Sequence, residues 1–316
     1  MAIEDSGPSR VAVIDTGTNS TRLIVASVAG ERVEELGRKT TVTRLGERVD
    51  ETGALSESAM RRVRDCVKKY ADVISKLGAE RTVILATSSV RDAANGPGFI
   101  AGLAGEFSFE HRVLAGGEEA ALSFRGATAE TRQSIRAMLL DVGGGSTEIA
   151  AGSHETAGYF RSLRLDCVRL SERYLHHDPA THAELSAAAD HVDEVLAAGI
   201  DRQLLGKVEN VLAVAGTATA LAAIDLGQKV YDRSRVHNHR LTRERVDDWL
   251  SRLAAMTAAE RMRRFPTMET GRADVIVGGV LIISRVLKFT GVRQFTVSER
   301  DILDGAAAAL AAGELV

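Results

Sequence analysis

Two short runs in this chain are near copies of one another: Asp15-Thr-Gly-Thr-Asn-Ser20 and Asp141-Val-Gly-Gly-Gly-Ser146. An apolar run precedes each, Val11–Ile14 and Met138–Leu140, and a β-prone run follows each, Thr21–Ala26 and Thr147–Ala150. The pattern reads strand, tight polar turn, strand, written twice. Glycine lets such a turn bend sharply and lets backbone N–H groups approach an anion closely. An Asp at the strand end can hold a hard cation, while hydroxyl and N–H groups face phosphate oxygens. Two such turns opposed across a cleft would make a phosphate clamp with a metal between its jaws.

At 316 residues the chain has room for two ordinary domains. Its formal net charge is −3, without a long block of like charge, which gives no case for nucleic-acid or membrane-surface binding. Cys66 and Cys167 are far apart and lack metal-ligand spacing, which argues for a reduced, cytosolic protein and against zinc. Met1–Arg10 is polar, without the apolar stretch of a signal peptide, and no run reaches the length of a membrane helix. The expected location is the cytoplasm.

Strand-like runs at Val11–Ile14, Thr21–Val28, Val33–Val42 and Thr82–Ala86 alternate with helical stretches. The clearest helix opens at Ser56 as N-cap and ends near Leu77, with Met60, Val63, Val67, Tyr70, Ile74 and Leu77 at helical spacing. A helix near Asn95–Leu103, a strand His111–Leu114 and a helix opening at Gly117 follow. The second half repeats the start, adds a strand near Phe160–Leu165, and places a helix after Asp166. One long helix is expected over Ala183–Leu205 and another over 242–263. A short strand Val211–Ala215, an apolar helix Ala273–Leu287, a strand Gln294–Val297 and an alanine-rich helix Asp301–Ala312 complete the reading. This is an α/β pattern with mixed sheets.

Several residues are candidates for chemistry. Gly143, Gly144 and Gly145 are entropically costly inside a strong β pattern, and a phosphate-gripping turn with Ser146 explains them better than a plain hairpin. Glu148 can share a strand face with Ser146, as a site residue or a solvated strand residue. In the first copy, Gly17 and Thr18 form the turn, and Asn19 and Ser20 offer neutral donors. Asp15 either binds metal or its water, or caps the turn. Glu119 at a helix start is either a general base or one of two acids complementing the helix dipole. Arg91 follows a strand's C-terminal end, where ligands bind in open α/β sheets; it is a phosphate ligand or a surface charge. Gly216 and Thr217 occupy a similar strand end, as backbone donors or as a helix cap. His176, His177, His237 and His239 read as loop or surface residues, and Trp249 as core. Arg261, Arg263 and Arg264 read as a solvated helix face, or as a guide for a polyanion.

Taken in order, Ala12-Val-Ile-Asp-Thr-Gly-Thr-Asn-Ser20, Ala86-Thr-Ser-Ser-Val-Arg91, Leu114-Ala-Gly-Gly-Glu-Glu-Ala-Ala121, Leu140-Asp-Val-Gly-Gly-Gly-Ser-Thr-Glu148, Ala213-Val-Ala-Gly-Thr217 and Arg272-Ala-Asp-Val-Ile276 carry a resemblance. The chain resembles the exopolyphosphatase/guanosine pentaphosphate phosphatase (Ppx/GppA) family of the actin/Hsp70/sugar-kinase superfamily. The resemblance implies two ribonuclease-H-like domains with mixed five-stranded sheets and an active site in the interdomain cleft. The first would span 1–130, completed by about 294–316, and the second 131–293. It implies release of terminal phosphate from inorganic polyphosphate with Mg²⁺ or another divalent cation. By resemblance the catalytic glutamate falls on Glu119, the metal-binding acids on Asp141 and Glu148, and the chain-binding arginine on Arg91. Hydrolysis of guanosine pentaphosphate is the alternative substrate. A small-molecule kinase and a non-catalytic phosphate-binding regulator are the rival classes. Two departures stand out. The chain reads as a short form without the helical C-terminal extension of many members, which favours short polyphosphates. Asp301-Ile-Leu-Asp-Gly305 also stands where members usually show Leu-Arg-Glu-Gly. A homodimer is the expected assembly.

Overall fold

In the computed structural model the first Gly-containing turn joins two strands of a five-stranded sheet. These are β1 (Ser9–Thr16) and β2 (Ser20–Ala29); β3 (Arg32–Val42), β4 (Arg81–Ala86) and β5 (Glu110–Val113) complete it in the order β3-β2-β1-β4-β5. The structure describes residues 7–131, 135–153, 157–205, 208, 210–269 and 271–315. The β1–β2 and β2–β3 pairs are antiparallel, while β4 and β5 add in parallel. Both faces are covered. Ala12, Ile14, Leu23 and Val25 pack on one side with the helix Glu57–Leu77, and Val11, Val13, Ile24 and Ala26 pack on the other with the helix Ile302–Ala311. Burial on both faces is why β1 reads as an unbroken apolar run instead of an alternating one. The helix Glu57–Leu77 starts and stops as its sequence dictates: Ser56 Oγ accepts from Ala59 N, and Gly78 adopts a left-handed conformation.

The second copy seeds a second sheet. It comprises β6 (Ala137–Val142), β7 (Thr147–Gly152), β8 (Ala157–Leu163), β9 (Asn210–Val214), β10 (Arg240–Thr242) and β11 (Gln294–Val297), in the order β10-β11-β9-β6-β7-β8. Strands β6–β7–β8 are antiparallel, and β9 adds parallel to β6 as β4 does to β1. Both sheets therefore have the ribonuclease-H-like arrangement. The second has six strands where five were expected, because three-residue β10 is too short to leave an alternating pattern.

The chain divides into two units: residues up to Ala129 with those from Ile302, and Glu130–Asp301. The strand at 294 belongs to the second unit, contrary to the expectation that it returns to the first. Thr296 and Val297 pair with Leu212 and Ala213, and Phe295 and Val297 are buried in the second core. The helix Ile302–Ala311 alone returns, packing on the helix Gly116–Thr128. Gly305 is required there, since a Cβ would collide with the Leu122 carbonyl. Asp304 in the altered motif pairs with Arg38 at 2.7 Å.

The two stretches expected as single long helices are each broken in two. His182–Gly199 ends at buried Ile200, and Asp201 Oδ1 accepts from Gln203 N to open Arg202–Leu205. Arg243–Ala254 ends before Thr257, which caps Ala258–Arg264 together with Glu260. Among the described residues no helix is long and apolar enough to cross a membrane.

Candidate active site

In the first unit the turn after Asp15 is closed by Gly17 N donating to Ser20 O at 3.0 Å. Its carbonyls are held from behind: Gly46 N donates to Thr18 O, and the Thr43 and Arg44 N–H groups donate to Asn19 O. Thr18 Oγ1 lies 3.2 Å from Ser88 Oγ, tying the turn to the short helix Ser88–Asp92 that carries Arg91. Arg91 Nη1 donates to Leu114 O at 2.6 Å and stands 3.5 Å from Glu119 Oε2. The structure thus brings Arg91 and Glu119 together, the latter 9% exposed.

The adjacent glutamates divide their work. Glu118 accepts from Ala115 N at 2.8 Å and pairs with Arg112, so it caps the helix. That backbone hydrogen bond, with Arg112, holds its carboxyl below the ordinary range. Glu119 is directed inward instead. Asp15 has an arginine on it: Arg22, its partner across the β1–β2 ladder, places Nη2 2.6 Å and Nε 3.0 Å from Oδ2. A cation at Asp15 would have to compete with that guanidinium.

In the second unit the turn closes identically, Gly143 N to Ser146 O at 3.0 Å. Here the cross-strand partner of Asp141 is Glu148, so two acids share one face of the ladder. They are 8% and 2% exposed. Ser162 Oγ on β8 donates to Glu148 Oε1 at 2.7 Å, fixing its direction. Gly143 O accepts from Cys167 N and Gly145 O from Arg169 Nη1. Thr217 Oγ1 donates to Val142 O at 3.3 Å, so its hydroxyl ties a helix to β6 and does not serve as a cap. Gly216 lies under the Arg272 guanidinium, and a Cβ there would overlap it.

Among the described residues no cluster of three or more His, Cys, Asp or Glu side chains forms a ready metal cage. The donor set at Asp141 and Glu148 still fits Mg²⁺, which takes one or two carboxylates and completes its shell with water and substrate phosphate. Three of the histidines pair with carboxylates: His177 with Glu184, His237 with Glu130, His239 with Asp225. Arg261 is not part of a solvated face. It is buried and donates to Leu253 O and Ala273 O, while Arg263 and Arg264 are exposed. Reading residues by type did not single out Arg22, Ser162 and Arg169, which touch Asp15, Glu148 and Gly145. Aligning the two turns position by position sets Arg22 against Glu148 and would have revealed the first.

The Ppx/GppA phosphatase family model matches residues 23–308. The chain is similar to exopolyphosphatase 2 of Mycobacterium tuberculosis, 38% identical over 96% of this chain and 99% of that one. It is also similar to the guanosine-5'-triphosphate,3'-diphosphate pyrophosphatase of Photobacterium profundum, 31% identical over 69% of this chain and 44% of that one. Among solved structures, an exopolyphosphatase from Cytophaga hutchinsonii superposes with a TM-score of 0.87 at 25% identity, covering 96% of this chain and 98% of that one.

Proposed function

Because this chain belongs to the Ppx/GppA phosphatase family, we propose that it is an exopolyphosphatase, a phosphoanhydride hydrolase releasing the terminal phosphate of inorganic polyphosphate. The observation that supports the reading is the cross-strand Asp141–Glu148 pair flanking a glycine turn, a donor set suited to a cation beside a phosphate. Mg²⁺ held by these carboxylates would supply charge neutralisation at the phosphate oxygens when bound. Glu119 orients a water and takes its proton as the oxygen attacks the terminal phosphorus. The bridging P–O bond breaks, and the shortened chain leaves with the electron pair. Arg91 holds Glu119 in direction and donates to phosphate oxygens. Gly17, Thr18, Asn19 and Ser20, with Gly143–Ser146, Gly216 and Thr217, supply neutral donors. Positioning and electrostatics of this kind account for most phosphoryl-transfer catalysis. A cytoplasmic homodimer belongs to the same reading.

Guanosine pentaphosphate is the second substrate reading, favoured by the Photobacterium profundum relative. The deciding assay compares phosphate release from tripolyphosphate, long polyphosphate, guanosine pentaphosphate and ATP, each with and without Mg²⁺. Polyphosphate is expected to lead. Faster release from guanosine pentaphosphate would transfer the assignment, and release from none would end it.

A further inference from the structure

The second turn is braced differently from the first. In the first, the backbone N–H groups of Thr43, Arg44 and Gly46 hold the turn carbonyls. In the second, Gly145 O is held by a side chain, Arg169 Nη1 at 3.2 Å. Arg169 is itself buried, and its Nε lies 3.6 Å from Asp166 Oδ2. Asp166 is fully buried at the start of the helix Cys167–Tyr174. Its Oδ1 accepts from Val168 N and Arg169 N, while Oδ2 makes no hydrogen bond among the described residues. Two further bonds fasten the same segment to the turn: Cys167 N to Gly143 O, and Thr147 Oγ1 to Leu165 O.

A carbonyl oxygen directed at a phosphate repels it, and a carbonyl engaged behind the turn leaves N–H groups to meet the anion. We propose that Arg169, aimed by Asp166, is a positioning residue for phosphate binding: it holds Gly145 O away from the anion, and substrate affinity falls when the hold is released. This rests on the phosphate-hydrolysis reading above.

The charge on Asp166 is adjustable near neutrality. Burial pushes its carboxyl up to about 7, against the Arg169 and Val168 N–H bonds and the Arg169 guanidinium, with Glu172 adding to the rise. The groups facing it are Arg169 and Glu172 from its own helix and the buried Cys167 thiol, which Arg272 faces in turn. Above pH 7 the carboxylate pulls on Arg169; below it the pull weakens. The folded value is above that of an ordinary carboxylate. Ionised Asp166 therefore costs folding stability, and the cost grows as pH rises toward 7 and is complete above it.

Asp166→Asn keeps the size and the acceptor for both N–H groups but not the charge. With tripolyphosphate, the KM of the variant divided by that of the wild type should be about 10 at pH 8, the scale of one charge-assisted hydrogen bond. It should fall toward 1 at pH 6, where the wild-type carboxyl carries a proton too. Taking the ratio cancels titration of the substrate and of other groups. The kcat should change less than the KM. Arg169→Lys should retain part of the affinity, and Arg169→Met should lose it at every pH. The thermal midpoint of Asp166→Asn should rise at pH 8 while its affinity falls, a divergence that a purely structural role does not produce. A KM ratio near 1 throughout, or one independent of pH, overturns the proposal. Should the wild type release no phosphate, the hydrolase reading fails. The brace is then judged by calorimetric binding of tripolyphosphate to the same pair, with the same expected ratios.

Discussion

The two turns share a backbone and differ in charge. Each follows an apolar strand, closes with a glycine N–H on a serine carbonyl at 3.0 Å, and leads into an antiparallel strand. The residue opposite the aspartate decides what each turn can do. Across from Asp15 stands Arg22, and the hairpin neutralises its own acid. Across from Asp141 stands Glu148, and two buried carboxylates lie on one face. Like charges directly opposite are unfavourable in a ladder, and a cation relieves that cost. One cross-strand position thus distinguishes the two hairpins, and under the proposed function it divides a turn of neutral donors from a cation site.

The comparison breaks most visibly at Glu148. Glu148→Arg gives the second turn the charge pair of the first, with Asp141 closed by an arginine. Loss of the proposed cation site should cost about 10³-fold in rate, since metal charge stabilisation is worth several kcal/mol. Phosphate release across a Mg²⁺ titration checks it, and a Mg²⁺ response like that of the wild type would remove Glu148 from the metal site.

Glu119→Gln should follow, with a loss of about 10²-fold in kcat, the scale of a general base. Its neighbour provides the control. Glu118→Gln removes a helix-capping carboxylate and should leave kcat unchanged. The cap contributes above the ordinary glutamate range and is lost as pH falls through its lowered value. Wild-type turnover in folded Glu119→Gln would discard the mechanism proposed for it.

Arg22→Glu makes the reverse exchange. It takes the guanidinium from buried Asp15 and sets a second acid opposite, which should cost about 3 kcal/mol of stability, the scale of breaking a buried pair. Added Mg²⁺ should recover part of that loss in a thermal melt, because the first turn would then carry the pair found in the second. A melt insensitive to Mg²⁺ would mean that the opposed acids alone do not make the site.

How far sequence reaches is visible in the same places. The strand–turn–strand copies, the capped helix at Ser56 and the long apolar strands were legible because their signals are local and periodic. Strand β10 and the placement of β11 were not. The first is three residues long, and the second is decided by Phe295 and Val297 finding the other core. At the candidate site, Glu119, Asp141 and Glu148 are proposed from motif and resemblance, and the structure adds only their surroundings. Arg22 and Arg169 did not stand out, because their contacts with the turns arise from a ladder register and from a helix folded back on a turn. Arg261 misled for a related reason: a charged residue in a basic run was buried by carbonyls 8 and 12 residues away in sequence.

The smallest effect tests the sameness of the turns rather than their difference. A Cβ on Gly17 would meet Ser20 O at 3.1 Å, and one on Gly143 would meet Ser146 O at 3.2 Å. Both contacts are tight but open to relaxation, so Gly17→Ala and Gly143→Ala should each cost about 1 kcal/mol, near the low end for mild overpacking. The two costs should agree to within about 0.5 kcal/mol, the ordinary scatter of a surface substitution. Denaturant melts in the absence of Mg²⁺ make the measurement, since cation binding would stabilise one turn selectively. Equal costs would mean that the duplication conserves a backbone device, onto which charge at positions 22 and 148 was set independently. If Gly143→Ala is costlier by 2 kcal/mol or more, the second turn is more tightly constrained, and the divergence extends into the backbone itself.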